Sequence, residues 1–432
     1  MADLLRILGV AFGLAVIIGG TIGSGILRTP GAVVAQLGSG WLAMAAWTAG
    51  GIYALLGASA LADLVTTLPR SGGFYVFAQR ALGNAIGFAV GWADWLSTCA
   101  ALAYGAITFS EYLTLLYPEA GRYGLLPGAA AITAFAALQL RGMRLSSRIQ
   151  EITSFAKALA FVGLVILLMF APTAPEGASL PAPSGFAALV AVIIALQLVV
   201  GAYDGWQGAM YFAGEDTNPA RNLPRALIGG VLLVLAVYLL VNLAFMRVLP
   251  LSTMAVSSLP AADAAATVLG SSGTRVVIWL AALSLLPLIS ALLLMASRIL
   301  YAMSRDGLLP PALGAVTASG TPAPALIASA VVSLGLLSVG TFDAITVVMA
   351  FFAITGYAGA FVSLLVLRRR EPDLPRPFRS WGYPWTTVAV LAGALALLTG
   401  LVFSAPGEAV IAMVALAASY PIYRLSVRNL RL

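Results

Sequence analysis

Long apolar runs recur along the whole chain and limit what it can fold into. Twelve runs are each long enough to cross about 30 Å of hydrocarbon. A soluble domain does not have this composition, since 61% of the residues are hydrophobic and only 9% are charged. The runs cover residues 7–37, 41–67, 84–116, 123–140, 150–171, 186–212, 225–249, 274–304, 322–340, 342–367, 385–403 and 407–424. The sequence therefore predicts an all-α integral membrane protein with twelve transmembrane helices.

The arginines between these runs indicate how the protein is oriented. With a cytoplasmic N-terminus, twelve spans place 18 arginines on the cytoplasmic side and four outside. The outer four are Arg28, Arg122, Arg247 and Arg275. This positive-inside bias predicts a multi-pass protein of the inner (cytoplasmic) membrane with both termini in the cytoplasm. The net charge of +7 is explained by orientation, so no nucleic-acid partner is expected.

The first span contains four glycines between Gly19 and Gly25. Each disfavours helix by about 1 kcal/mol relative to alanine. A helix break here would free backbone amides for a carboxylate and carbonyls for an ammonium or a cation. A glycine face for close helix packing explains this one segment equally well. The candidate substrate-binding residues of the span are Thr21, Ile22, Gly23, Ser24, Gly25 and Ile26.

The sixth span repeats this pattern, with two glycines and an acid near its centre. Its candidate residues are Gly201, Ala202, Tyr203, Asp204 and Gly205. Two interrupted spans, each opening a block of five, predict a five-plus-five inverted repeat with a site between the breaks. The predicted units are a first repeat over 1–171, a second over 186–367, a cytoplasmic linker over 368–384, and two extra helices with the C-terminus over 385–432.

Lys157 is the only lysine of the chain. It lies nine residues beyond Arg148, about 13 Å along the fifth span. A charge at that depth costs some 2.5–3.5 kcal/mol on insertion scales. Three explanations stay open: the ammonium replaces a bound cation, it releases a proton during the cycle, or it snorkels to the surface. Ser290 of the eighth span is a candidate for holding this ammonium or a cation, unless its hydroxyl bonds its own helix.

The chain has no histidine, and Cys99 is its only cysteine. The lack of histidine and of a second cysteine argues against thiol or imidazole metal sites, histidine-based catalysis and an internal disulfide. We expect no catalytic residues, no metal and no cofactor. An ion channel and a membrane enzyme are the competing classes. A channel would carry rings of polar residues along a pore, whereas here the polar atoms gather at two helix breaks. An enzyme would need an activated nucleophile or a metal, and the sequence shows no convincing set of such residues.

Several motifs carry a resemblance that covers essentially the whole chain. They are Gly23-Ser24-Gly25-Ile26, Pro69-Arg70-Ser71-Gly72-Gly73, Arg148-Ile149-Gln150-Glu151 with Lys157, Ala202-Tyr203-Asp204-Gly205-Trp206, Asn218-Pro219-Ala220-Arg221-Asn222-Leu223-Pro224, Tyr301-Ala302-Met303-Ser304-Arg305-Asp306-Gly307 and Pro375-Arg376-Pro377-Phe378-Arg379. Together they resemble the amino acid/polyamine/organocation (APC) transporter superfamily, nearest to bacterial L-amino-acid transporters. The resemblance implies a LeuT-like fold with discontinuous helices 1 and 6.

For function, the resemblance implies sodium-independent amino acid transport by alternating access, as an exchanger of neutral substrates. A proton-coupled symporter and a cationic amino acid or polyamine carrier are the alternatives. It also implies that amides of Ser24 and Gly25 hold the substrate carboxylate, that Lys157 replaces the ion of sodium-coupled relatives, and that three carbonyls receive the amino group. Those carbonyls belong to Thr21, Gly201 and Asp204.

The chain departs from the family pattern in two places. Gly201 stands where many relatives carry a bulky aromatic gate, which leaves gating to Tyr203 or a neighbour and makes the pocket roomier. The loop over 117–123 lacks the cysteine that tethers animal relatives to a heavy chain. The expected partners are therefore an amino acid and the lipid bilayer, without a disulfide-linked heavy chain, and the expected state is a monomer or a weak homodimer.

Overall fold

The structure is a computed structural model, and it describes residues 3–174, 180–181, 183–339 and 342–429. Over those ranges the chain is helical and has no β-strand, only an isolated bridge between Leu8 and Asp216. Its helices are α1 (Val10–Thr21), α2 (Ser24–Leu37), α3 (Gly40–Thr67), α4 (Phe74–Leu82), α5 (Asn84–Leu116), α6 (Leu126–Leu140), α7 (Met143–Met169), α8 (Gly185–Tyr203), α9 (Pro219–Val248), α10 (Leu251–Val256), α11 (Pro260–Leu269), α12 (Ser271–Arg305), α13 (Ala323–Val339), α14 (Phe342–Arg370), α15 (Trp385–Ser404), α16 (Pro406–Ala417) and α17 (Ser419–Asn429). Short 3-10 helices cover Pro118–Tyr123, Gly208–Glu215 and Pro311–Gly314.

Ten of the predicted spans have the length and apolar character needed to cross a membrane. Nine are continuous stretches of the described chain, of which Gly185–Glu215 joins α8 to a 3-10 helix and Pro406–Ser426 joins α16 to α17; the tenth is the pair α1 and α2, bent by 49° at its break. The predicted fourth and ninth spans are shorter helices, α6 with 15 residues and α13 with 17. The all-α membrane class is thus confirmed, whereas the count of twelve spans and the inverted repeat stay predictions. The predicted ends at residues 340 and 432, and part of the segment between 171 and 186, lie outside the described residues.

Two long helices form the centre of the molecule. α12 is 35 residues long and packs along α5, which has 33 residues. The helix pair α1 and α9 packs on the same assembly, and α9 also covers α3. By contrast, α15 buries only three of its 20 residues, so most of its apolar surface faces outward. Such a surface fits a lipid environment, since lipid tails are as apolar as the side chains they touch.

A buried ion pair joins α12 to the 3-10 helix Gly208–Glu215. The Arg298 guanidinium donates from Nε and Nη2 to the two carboxylate oxygens of Glu215, at 3.0 and 2.9 Å. Both side chains are fully buried. The Glu215 carbonyl accepts from the amides of Ile7 and Leu8, each at 3.0 Å. One residue therefore connects α12, the Gly208–Glu215 helix and the segment that leads into α1. In the sequence Arg298 is one of the arginines that predict orientation, and nothing there indicates this pairing.

A second buried carboxylate holds the segment that follows α14. Asp63 of α3 is fully buried and forms ion pairs with Arg368 and Arg376, the latter at 3.0 Å. It also accepts from the Ser380 amide at 2.9 Å. The predicted linker over 368–384 therefore begins within α14, which continues to Arg370, and its remainder is fixed to α3.

We expect Arg298→Gln to destabilise the protein strongly. The change would leave the Glu215 carboxylate buried without its ionic partner, and breaking such a pair costs about 3–5 kcal/mol. The effect is measured as the melting temperature in detergent, taken as the temperature at which the monodisperse gel-filtration peak is lost. The matched control is Arg122→Gln, because Arg122 is 66% exposed and lies 3.8 Å from Glu119. Equal melting temperatures for the two variants would contradict the prediction.

Candidate functional site between two helix breaks

The first break lies between α1 and α2. Ile22 leaves the helical region with ψ at 106°, and Gly23 is extended with φ and ψ near −150°. α2 then begins at Ser24, and no side chain caps its first turn. The first amides of a helix have no partner within the helix and carry partial positive charge. The amides of Ser24, Gly25 and Ile26 are the first three of α2, and their role as an anion-binding end stays a prediction.

The second break follows α8. Asp204 is extended with ψ at 143°, and Gly205 has φ at +111°, in a region that favours glycine. The Gly205 amide donates to Oε1 of Gln207 at 3.1 Å, and the 3-10 helix Gly208–Glu215 continues the chain. The α-helix thus ends within the sixth run, beside the glycines and the acid at which the sequence predicted an interruption.

The two breaks lie directly against each other. A Cβ added at Gly205 would lie 2.7 Å from the carbonyl carbon of Gly20 and 2.9 Å from the Thr21 amide nitrogen, closer than atoms can pack. A Cβ at Gly25 would lie 3.5 Å from Ala202. The glycines therefore permit two main chains to meet, and the site is built where the breaks cross.

Tyr238 of α9 joins the two breaks from the side. Its hydroxyl lies 2.7 Å from the Thr21 carbonyl oxygen and 2.9 Å from the Ala202 carbonyl oxygen, and it has one hydrogen to donate to them. The Thr21 carbonyl, predicted to receive an ammonium, keeps a second lone pair for that purpose. Sequence reasoning missed Tyr238, for which the only signal was a polar aromatic residue within an apolar span.

The side chains at the second break are held by neighbouring helices. The Tyr203 hydroxyl donates to the Trp47 carbonyl at 3.1 Å, so this predicted gating residue is packed against α3. The Asp204 carboxylate accepts a hydrogen bond from the Tyr357 hydroxyl of α14. The Tyr357 ring in turn stacks on Trp206 at 5.2 Å between centroids. The carboxylate of Asp204 is therefore engaged with an aromatic pair.

Lys157 points into the protein and reaches the first break. Its Nζ donates to the Gly19 carbonyl at 3.0 Å and to the Ser284 carbonyl at 2.8 Å. The side chain is 5% exposed, which rules out snorkelling to the surface. Gly19 lies in the last turn of α1, where carbonyls lack partners within the helix. Within the described chain Lys157 has no ion pair, so its ammonium neutralises main-chain dipoles alone.

Ser290 lies elsewhere on α12. Its hydroxyl is 3.5 Å from Nε2 of Gln139, and its carbonyl accepts from the same nitrogen at 3.0 Å. The contact to Lys157 comes instead from the Ser284 carbonyl. The predicted role of Ser290 beside the ammonium therefore stays a prediction without a hydrogen bond to support it.

Free space adjoins both breaks. A Cβ added at Gly201 or at Gly23 would contact no atom within 4 Å other than those of adjacent residues in the chain. Gly201 is also exposed, although it lies only two residues before the end of α8. The position predicted to lack an aromatic gate thus borders an open space.

Comparison with known proteins points to one family. The family model described as amino acid permease matches residues 8–422 of this chain. The serine/threonine exchanger SteT of Bacillus subtilis is 27% identical over 401 residues, which is 90% of each protein. The mouse large neutral amino acids transporter small subunit 2 is 29% identical over 443 residues, covering 97% of this chain and 81% of the relative. The mouse b(0,+)-type amino acid transporter 1 is 28% identical over 386 residues.

We expect Lys157→Ala to abolish or strongly reduce amino acid uptake while leaving a folded protein. The substitution removes the charge that holds the Gly19 and Ser284 carbonyls together at the break. Uptake into proteoliposomes measures the activity, and gel filtration checks the fold. Wild-type uptake by this variant would show that the lysine is incidental.

We expect Gly25→Val to block amino acid binding. The valine Cβ would already touch Ala202 at 3.5 Å, so its two methyl groups would press against α8 and obstruct the amides at the start of α2. Titration calorimetry measures the affinity. The control is Gly163→Val on α7, where an added Cβ meets nothing within 4 Å. Unchanged affinity in the Gly25 variant would count against the site.

Proposed function

We propose that this chain, which belongs to the amino acid permease family, is a sodium-independent exchanger of neutral L-amino acids that works by alternating access. The observation that carries the proposal is the crossing of two helix breaks, with Gly205 against Gly20 and Gly25 beside Ala202. An amino acid is a zwitterion, and this crossing offers positive and negative main-chain ends within one small volume.

In this proposal the main chain binds the parts that all amino acids share. The amides of Ser24, Gly25 and Ile26 hold the carboxylate. The carbonyls of Thr21, Gly201 and Asp204 receive the amino group. The open space beside Gly201 accommodates the side chain, so the same contacts serve substrates of different size.

The placement of Lys157 supports sodium independence. Its ammonium bonds one carbonyl of α1 and one of α12, and carbonyl oxygens are the ligands that a hard cation would need. A positive charge on these oxygens takes the place that a sodium ion would have in holding the two helices together. The lysine then does structurally what a bound ion would do.

Two observations favour a neutral substrate and exchange. Asp204 is the one acid among the predicted binding residues, and the hydrogen bond from Tyr357 orients one of its oxygens toward α14; on this orientation we base the choice of a neutral substrate. Of the relatives, one is named an exchanger and another a transporter of large neutral amino acids. We transfer both properties to this chain as parts of the proposal.

We also propose that the protein works in the cytoplasmic membrane without a disulfide-linked partner. One relative is named a small subunit. In this chain the single cysteine, Cys99, is buried within α5 and has no exposed thiol for a covalent link. Both termini are expected on the cytoplasmic side, as the arginine distribution predicts.

Counterflow in proteoliposomes tests the proposal. Vesicles loaded with one amino acid should accumulate a labelled second one, with no requirement for sodium and no response to an imposed proton gradient. Accumulation driven by protons without internal substrate would identify a symporter instead. Uptake of arginine or a polyamine in preference to neutral amino acids would favour the cationic carrier, and unsaturable flux would indicate a pore.

We expect Gly201→Phe to narrow the range of substrates. The phenyl ring would occupy the open space beside the break, where an added Cβ meets nothing within 4 Å, so the protein should fold normally. Transport of large amino acids such as leucine should fall by about tenfold or more relative to serine, as expected when a pocket loses room for several methylenes. Ratios of kcat/KM for the two substrates measure the change, and an unaltered ratio would place the side chain elsewhere.

A further inference from the structure

The protein surface has an open groove where α9 meets the segment that follows α14. Its volume is about 390 Å³. One wall is Phe378 of that segment, and the rest is formed by the first half of α9, from Pro224, Arg225, Ile228, Gly229 and Leu232. These α9 positions recur every three or four residues, so they share one helix face. The groove therefore follows α9 for about 12 Å.

Gly229 creates the room in this groove. A Cβ added at Gly229 would meet only the Leu14 side chain of α1, at 3.9 Å, which is an ordinary van der Waals contact. A larger residue at this position would therefore project into the groove without displacing its neighbours. A molecule in the groove would lie beside α9 and close to α1.

The Phe378 wall is held in place from both sides by one buried carboxylate. Asp63 pairs with Arg376, two residues before Phe378, at 3.0 Å. It also accepts from the amide of Ser380, two residues after Phe378, at 2.9 Å. The groove is thus shaped by contacts within the protein and is ready to receive a molecule from outside.

One end of the groove is basic. Arg225 lines it, Arg221 lies one helical turn earlier, and Arg379 follows Phe378 in the chain; all three are exposed. None of them forms an ion pair with another described residue. The two acids just before α9 are engaged elsewhere. Glu215 is in its buried ion pair, and Asp216 accepts from a main-chain amide and an asparagine side chain, each at 2.7 Å.

The other end of the groove is apolar and opens outward. Leu232 lies about 10 Å beyond Arg225 along the axis of α9 and is nearly half exposed. Leu243, three helical turns further on the same face, is equally exposed. α9 belongs to a stretch apolar enough to cross a membrane, so this face borders lipid. The groove thus joins a cationic end to an apolar path that runs into the hydrocarbon.

We propose that this groove binds an anionic phospholipid. Arg225, with Arg221 and Arg379 beside it, binds the phosphate by charge-assisted hydrogen bonds. One acyl chain lies over Gly229 and continues past Leu232. Basic pockets at the membrane surface recognise anionic head groups in this way, and this end of α9 is the one that the arginine distribution predicts to be cytoplasmic. The site is separate from the helix breaks and goes beyond the proposed transport function.

Binding of defined lipids to the detergent-purified protein tests the site, with Kd measured by native mass spectrometry. The probes are dioleoylphosphatidylglycerol, which is anionic, dioleoylphosphatidylcholine, which is zwitterionic with the same chains, and inorganic phosphate as a competitor without chains. Arg225→Gln removes the charge at the head group. Its matched control is Arg144→Gln, because Arg144 is also exposed, lies near the start of a spanning helix and has no ion pair in the described chain.

Gly229→Leu fills the groove while keeping every charge. Its matched control is Gly163→Leu on α7, an exposed helical glycine where an added Cβ meets nothing within 4 Å. Both substitutions exchange a helical glycine for leucine on an outward face, so they differ mainly in whether a groove is occupied. Gel filtration checks the fold and the oligomeric state of each variant.

We expect the wild type to bind phosphatidylglycerol about tenfold more tightly than phosphatidylcholine, the usual scale for a hydrogen bond to a charged group. Arg225→Gln should raise the Kd for phosphatidylglycerol by about tenfold and leave that for phosphatidylcholine unchanged. Gly229→Leu should weaken both lipids. The two control variants should stay within about twofold of the wild type, and phosphate at the lipid concentration should displace nothing.

Three results would overturn the site. Equal Kd values for the two lipids in the wild type would show that the basic end selects no head group. Equal losses in Arg225→Gln and Arg144→Gln would show that lipid follows overall charge and not this groove. A wild-type dimer that Gly229→Leu dissociates, without any change in lipid binding, would identify a second copy of the chain as the occupant. If Arg225→Gln does not fold, unchanged lipid binding by folded Gly229→Leu overturns the site by itself.

Discussion

The contact between Gly205 and Gly20 is the constraint on which the site depends. Two membrane-crossing segments approach so closely there that no side chain fits between them. At this contact both helices interrupt their internal backbone hydrogen bonds. The carbonyls and amides that are released there face a shared volume. Lipid offers no partners for such groups, so broken main chain survives at this depth only inside protein or beside a water-filled cavity. The packing of α9 and α12 around the crossing provides that enclosure.

Much of this arrangement could be predicted from the sequence, because its signals are local. The four glycines between Gly19 and Gly25 and the pair Gly201 and Gly205 are hard to explain on an ordinary anchor helix, and both runs are interrupted where these glycines lie. The solitary lysine was equally informative, since a single charge at that depth must have an internal partner. That partner proved to be main-chain carbonyl oxygen, with Ser284 contributing a carbonyl from the helix on which Ser290 had been expected to act.

The missed residues are those whose importance comes from distant parts of the chain. Tyr238 is one polar aromatic residue in an apolar span, and only folding brings its hydroxyl to carbonyls 217 and 36 residues away. Arg298 resembled the other arginines near span ends, yet it pairs with Glu215 in full burial. Asp63 similarly forms its ion pair with Arg376, which lies 313 residues later in the chain. Long-range pairs of this kind leave no spacing pattern in a single sequence, so periodicity and composition cannot reveal them.

The hydroxyl of Tyr238 has a consequence for the electrostatics of the crossing. One hydrogen is shared between two carbonyl oxygens that face each other across the breaks, so neither oxygen is fully neutralised. The pair keeps a local negative potential inside an apolar protein interior, where dipoles act over short distances with little screening. Under the proposed function, the ammonium of an amino acid neutralises this potential when it binds, and its departure restores the negative potential that attracts the next substrate.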